Sequence, residues 1–112
     1  MRDHIPKYQS ENLPKYHWPS FFADLLEAQK NQPVSVLQGE DLILQEAPTD
    51  TAPLLDIEYK SKRKGKLTIK SGGETTSISA PNLVWVTHDA GGGVVEVEII
   101  DEKNHKVILR FD

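Results

Sequence analysis

The chain has 112 residues, 38% apolar and 27% charged, with a formal net charge of −4, which suits one globular domain with a single modest core and leaves too little for two. It contains no cysteine, which excludes disulfide frameworks, thiolate zinc sites, iron–sulfur clusters and cysteine nucleophiles. No window reaches the ~18 apolar residues of a membrane span, and M-R-D-H-I-P-K-Y lacks the apolar centre of a signal peptide, so a cytoplasmic protein without a membrane partner is expected.

Residues 1 to 17 are polar, hold two prolines and follow neither a helical nor an alternating period, so they read as an extended arm. I-P-K-Y at 5 to 8 is echoed by L-P-K-Y at 13 to 16. In these echoes Tyr8 and Tyr16 are candidate contacts for a partner. From Trp18 the pattern changes. Trp18, Phe21, Phe22, Leu25 and Leu26 form the apolar stripe of an amphipathic helix, with Pro19 in its first turn and N-Q-P at 31 to 33 as its stop. Such a face must pack on something, and the rest of the chain reads as sheet.

Val34 to Gln38 and Leu42 to Glu46 are short β-prone runs about a turn at Gly39, and the prolines at 48 and 53 mark a loop. Alternation then assigns inward sets: Leu55, Ile57 and Tyr59; Leu67 and Ile69; Val95, Val97 and Ile99; and Val107, Leu109 and Phe111. Between these lie a weaker run, T-T-S-I-S at 75 to 79, and L-V-W-V-T at 83 to 87, whose four successive apolar residues predict a strand covered on both faces. The expected fold is α+β and mostly antiparallel: one N-terminal amphipathic helix packed on a six- to eight-strand meander that forms a small barrel or sandwich, as a single domain over 18–112.

Matching inward residues across each hairpin fixes register. The last pair sets Ile99 opposite Val107 and Val97 opposite Leu109, with Val95 facing Phe111 and Glu96 beside Arg110. The earlier hairpin matches Tyr59 with Leu67, Ile57 with Ile69 and Asp56 with Lys70, leaving Ser61 to Gly65 as its loop. That loop and the lysines flanking it, Lys60 and Lys66, make up K-S-K-R-K-G-K. Residues 60 to 70 hold six of the chain's thirteen basic residues and no acidic one. Lys60, Lys62, Arg63, Lys64 and Lys66 are therefore the candidate contacts for an anion or an acidic partner. A broad basic face and exposed aromatics are missing, so nucleic acid is the lesser expectation. Like charges at a hairpin tip also keep an exposed edge from pairing with another sheet.

The remaining features predict no catalytic set, no metal site and no cofactor. His4, His17, His88 and His105 show no metal-ligand spacing. His88 and Asp89 are strand neighbours, whose side chains point to opposite faces. D-A-G-G-G at 89 to 93 exposes backbone N–H groups, yet a strand and not a helix follows it, so it reads as a hairpin turn instead of a phosphate cradle.

W-P-S-F-F ahead of the helix, P-V-S-V at 33 to 36, the run from Pro53 to Tyr59, P-N-L-V-W at 81 to 85 and the closing V-E-I and V-I-L-R-F together resemble a small bacterial domain family of unknown function, over about residues 16 to 112. The resemblance implies a bacterial source and a shared fold, and transfers no activity, ligand or catalytic residue. The expected role is a non-enzymatic protein-interaction module, with a second copy in a homodimer among the candidate partners. Two alternatives stand beside it: weak anion or nucleic-acid binding through the tip at 60–66, and a small-molecule pocket between helix and sheet around Trp18, Phe22 and Trp85.

Overall fold

The computed structural model describes residues 8–39 and 51–111. Helix α1 spans Trp18–Gln29, with the proline at its start, and its Trp18, Phe22 and Leu25 are buried. The indole N–H of Trp18 donates to the Leu13 carbonyl at 2.9 Å, and its ring meets Tyr59 edge-on at 5.7 Å. The expected apolar stripe is thus the face that enters the core, with Phe21 and Leu26 at its margin.

Among the described residues, eight antiparallel strands form one open sheet: β1 (Tyr8–Asn12), β2 (Pro33–Gly39), β3 (Ala52–Lys60), β4 (Lys66–Ser71), β5 (Glu74–Ser79), β6 (Pro81–Asp89), β7 (Val94–Asp101) and β8 (Lys106–Phe111). Their order is β1-β6-β7-β8-β2-β3-β4-β5. The α+β class and the helix packed on antiparallel sheet stand as expected; the barrel does not form. Two meanders, β2 to β5 and β6 to β8, meet where β8 pairs with β2. Between β2 and β3 only Pro33↔Pro53 and Val34↔Ala52 are matched, so the sheet bends there, and the inner faces of both halves feed one core. A single residue, Ala80 at φ 55, joins β5 to β6, with its N–H bound to the Gly65 carbonyl and its own carbonyl to Glu102 N–H.

Within the arm, residues 8 to 12 pair along β6, from Tyr8↔Asp89 to Asn12↔Trp85. Backbone hydrogen bonding holds this polar strand at the sheet edge, which explains why side-chain periodicity did not reveal it. The expected run from Leu42 to Glu46 lies outside the described residues.

The hairpin registers follow the matching of inward residues. Tyr59↔Leu67, Ile57↔Ile69 and Asp56↔Lys70 pair across β3 and β4, and Ile99↔Val107, Val97↔Leu109 and Glu96↔Arg110 across β7 and β8. Two inward assignments change. Leu54 is fully buried while Leu55 is exposed, because a bulge between Leu54 and Asp56 shifts the phase of β3. Both backbone groups of Leu54 are bonded to the chain leaving α1, its N–H to Gln32 and its carbonyl to Asn31. At the start of β7, Val94 and not Val95 packs against the core, next to an irregularity at Thr87/His88 on the facing strand.

Candidate interaction surface

Strand β6 places Val84 and Val86 in the core, so alternation sends Leu83 and Trp85 to the other face of the sheet. The apolar run had predicted cover on both sides. Instead Leu83 is 39% and Trp85 38% exposed. The face is built in rows across the strands. Trp85 lies between Asn12 of β1 and Glu98 of β7, and Glu98 is followed by Ile108 and Leu37. One row further along, Thr87, Glu96, Arg110 and Ser35 line up, with Ser10 Oγ 2.7 Å from Thr87 Oγ1. On the other side Leu83 faces Ile100, and Ile100 faces Lys106.

The charges on this face are unequally matched. Arg110 reaches Glu96 Oε1 through Nε at 3.3 Å and Nη2 at 3.1 Å, so that pair is closed. Among the described residues Glu98 makes no ion pair. Ile108 is almost fully buried beside it, so the carboxylate is bordered by apolar side chains on both neighbouring strands.

The basic hairpin is less free than its sequence suggests. Gly65 takes the left-handed conformation that closes the loop, at φ 87, and Arg63 shares it at φ 56. The Lys64 side chain stays exposed, and its ammonium lies 3.2 Å from Glu102 Oε2, in the loop between β7 and β8. Lys60 lies 3.7 Å from Glu58. Lys66 sits directly across from Lys60, a like-charge arrangement that costs a sheet some stability. Lys62 and Arg63 are exposed at the tip. Of the arm residues, Tyr16 is 79% exposed and its ring lies 4.3 Å from that of His17. The side chain of Tyr8 lies outside the described part of the structure.

The pocket expected between helix and sheet is not assembled. Trp18 and Phe22 are packed in the core against Tyr59, whereas Trp85 stands on the opposite face of the sheet. A cleft of about 350 Å³ does lie at the other end of β6, lined by Gln9, Glu11, His88 and Asp89 among others. There His88 Nδ1 is 4.0 Å from Glu11 Oε1, too far for a hydrogen bond. Asp89 is turned away from His88, its Oδ1 accepting N–H bonds from Gly91 and Gly93 at 3.0 and 2.9 Å. Asp101 does the same for Lys103 and His105, at 2.8 and 2.9 Å. Both hairpin loops share an aspartate first and a left-handed residue three positions on, Gly92 or Asn104. That D-x-x-[GN]-x repeat is visible in the sequence and marks the two aspartates as loop closers.

A family model matches residues 9–112, from β1 to the end of the chain. The chain belongs to DUF5335, a family of unknown function. The match begins earlier than the resemblance had implied, so the DUF5335 domain takes in the edge strand that docks beside Trp85. No curated protein and no solved structure matches the chain. Among the described residues no helix is long and apolar enough to cross a membrane, and no three His, Asp or Glu side chains converge as metal ligands would.

Proposed function

We propose that this DUF5335 domain is a non-enzymatic protein-interaction module whose contact surface is the outer face of β6 and β7. The observation that carries the reading is the exposure of Leu83 and Trp85, two large apolar side chains two residues apart on one strand face. Adjacent exposed apolar groups rimmed by charged and hydrogen-bonding ones are a recurrent feature of interaction sites, and tryptophan is enriched among residues that dominate binding. The bacterial, cytoplasmic setting expected from the sequence belongs to the same proposal.

The test is site-specific photocrosslinking in the host cytoplasm. A crosslinking side chain at position 83 is expected to capture a defined protein, and Trp85→Ser is expected to abolish the capture while leaving the circular dichroism spectrum unchanged. A crosslinker at Ser77, an exposed position of β5, serves as the control. Equal capture at 77 and 83, or capture indifferent to Trp85, would refute the proposal.

A further inference from the structure

We infer that Trp85 and Glu98 together form a subsite for an arginine side chain of the partner, presented on an extended segment with an aliphatic residue two positions away. The inference rests on reading this face as the contact surface, and adds the chemistry of what it receives.

Trp85 and Glu98 are direct cross-strand neighbours, which places their Cβ atoms about 4.5–5.5 Å apart on one face. A cation lying over the indole is attracted by the negative face of the ring, and Glu98 supplies a carboxylate at its rim. Among the described residues that carboxylate has no ion pair of its own. Among the described residues neither cation of the face forms an ion pair with it. Glu96 is held by Arg110 at 3.1 Å, and Lys106 lies in the next row, opposite Ile100. Arginine fits better than lysine, because its planar guanidinium can stack on an indole while its edge donates to a carboxylate. The chain's net charge of −4 favours approach of a cationic segment.

Spacing supplies the second half of the partner. Leu83 and Ile100 face each other one row from Trp85 and Glu98, and same-face rows of a strand are roughly 6.6–6.8 Å apart. An extended segment repeats its own side chains at that interval. An aliphatic residue two positions from the arginine therefore falls on Leu83 and Ile100 when the guanidinium reaches Trp85.

The experiment uses the full chain with ¹⁵N-labelled indoles. Two tryptophans give two N–H signals, and Trp18, buried in the core, is the internal control. The probe is the capped tripeptide Leu-Thr-Arg, compared with Leu-Thr-citrulline, which keeps the shape of arginine and removes its charge. The Trp85 signal is expected to move saturably with the arginine peptide and the Trp18 signal to stay in place. The citrulline peptide should bind about five-fold more weakly, the worth of an exposed cation–π contact of ~1 kcal/mol. Glu98→Gln removes the carboxylate and leaves the indole, so it should weaken the arginine peptide about two-fold, short of the citrulline level, and leave the citrulline peptide unchanged. Equal binding of the two peptides, or no effect of Glu98→Gln, overturns the inference. So does a Trp85 shift that grows with protein concentration alone and disappears when Lys62 and Arg63 are replaced by serine, since the occupant is then the basic tip of a second copy. If the peptides fail while crosslinking at position 83 still captures a Trp85-dependent partner, this inference falls and the interaction module stands.

Discussion

Replacing Asp101 by alanine removes the acceptor that closes the β7–β8 loop, and Asp89→Ala does the same to the β6–β7 loop. Each carboxylate takes two backbone N–H groups at 2.8–3.0 Å. The closest energetic analogue is a helix-capping side chain, whose loss costs about 0.5–2 kcal/mol, and hydrogen bonds to charged groups reach about 1.5–3 kcal/mol when shielded. The Asp101 side chain is only 15% exposed and also lies 3.4 Å from His105 Nδ1, so Asp101→Ala belongs near the top of the capping range, at about 2 kcal/mol. Asp89 is exposed, water can replace its bonds, and about 1 kcal/mol is expected. The loops stand at opposite ends of the eight-residue β7, more than ~20 Å apart at ~3.3 Å per residue, so the double variant should be additive within about 0.5 kcal/mol. Asp101→Asn keeps an acceptor oxygen and should lose roughly half as much as the alanine variant. Urea denaturation read by fluorescence supplies all four values, with unchanged m-values as the check on two-state unfolding. A loss below about 0.3 kcal/mol for Asp101→Ala, or a larger loss at Asp89 than at Asp101, would refute the account of these loops.

Further outcomes follow from single contacts. Gly65→Ala, at φ 87 with the Tyr59 ring 3.4 Å from the added Cβ, should cost about 1–2 kcal/mol, whereas Gly73→Ala, with nothing within 4 Å, should be neutral or gain up to about 1 kcal/mol; thermal melts separate them. A double-mutant cycle on Glu96 and Arg110, whose side chains are 26% and 24% exposed, should return a coupling of about 0.5–1 kcal/mol, and exchanging the two residues should recover part of the loss. Trp18→Ala should cost about 3–5 kcal/mol, since the indole fills the core and bonds the Leu13 carbonyl. Single-stranded DNA should bind only weakly, and the slope of log K against log salt should be no steeper than about −2, the value for three cations, Lys62, Arg63 and Lys66.

Most of the strands and their register were legible because burial is periodic. Once Ile57, Leu67, Ile69, Val97, Ile99, Val107 and Leu109 are required to face one core, β3 with β4 and β7 with β8 can align in only one way. The same logic paired Glu96 with Arg110. It failed where the cause was not periodic. The bulge at Leu54 comes from hydrogen bonds to the exit of α1, more than twenty residues earlier in the chain, and no local pattern encodes it. The edge strand at 8 to 12 has no apolar alternation, because backbone pairing with β6 holds it. The face carrying Trp85 departs from expectation for the opposite reason: an uninterrupted apolar run is the mark of a doubly covered strand, and on this one Leu83 and Trp85 stay more than a third exposed. A partly exposed apolar face and a buried strand have the same composition, and only the fold tells them apart.

The charge pattern shows how far folding can change what a sequence seems to offer. Read along the chain, residues 60 to 66 form a block of five cations on an acidic molecule, the most conspicuous candidate for binding. In the folded chain the corner at Ala80 ties this hairpin tip to the β7–β8 loop, since Ala80 bonds both Gly65 and Glu102. That backbone bridge brings Glu102 to Lys64, and Glu58 answers Lys60 from the same strand. Two of the five cations thereby gain a carboxylate neighbour, while Lys62, Arg63 and Lys66 stay exposed. The reverse holds on β7, where Glu96 and Glu98 look alike in sequence. Arg110 closes the first and, among the described residues, no cation closes the second, which leaves the Glu98 carboxylate beside a partly exposed tryptophan.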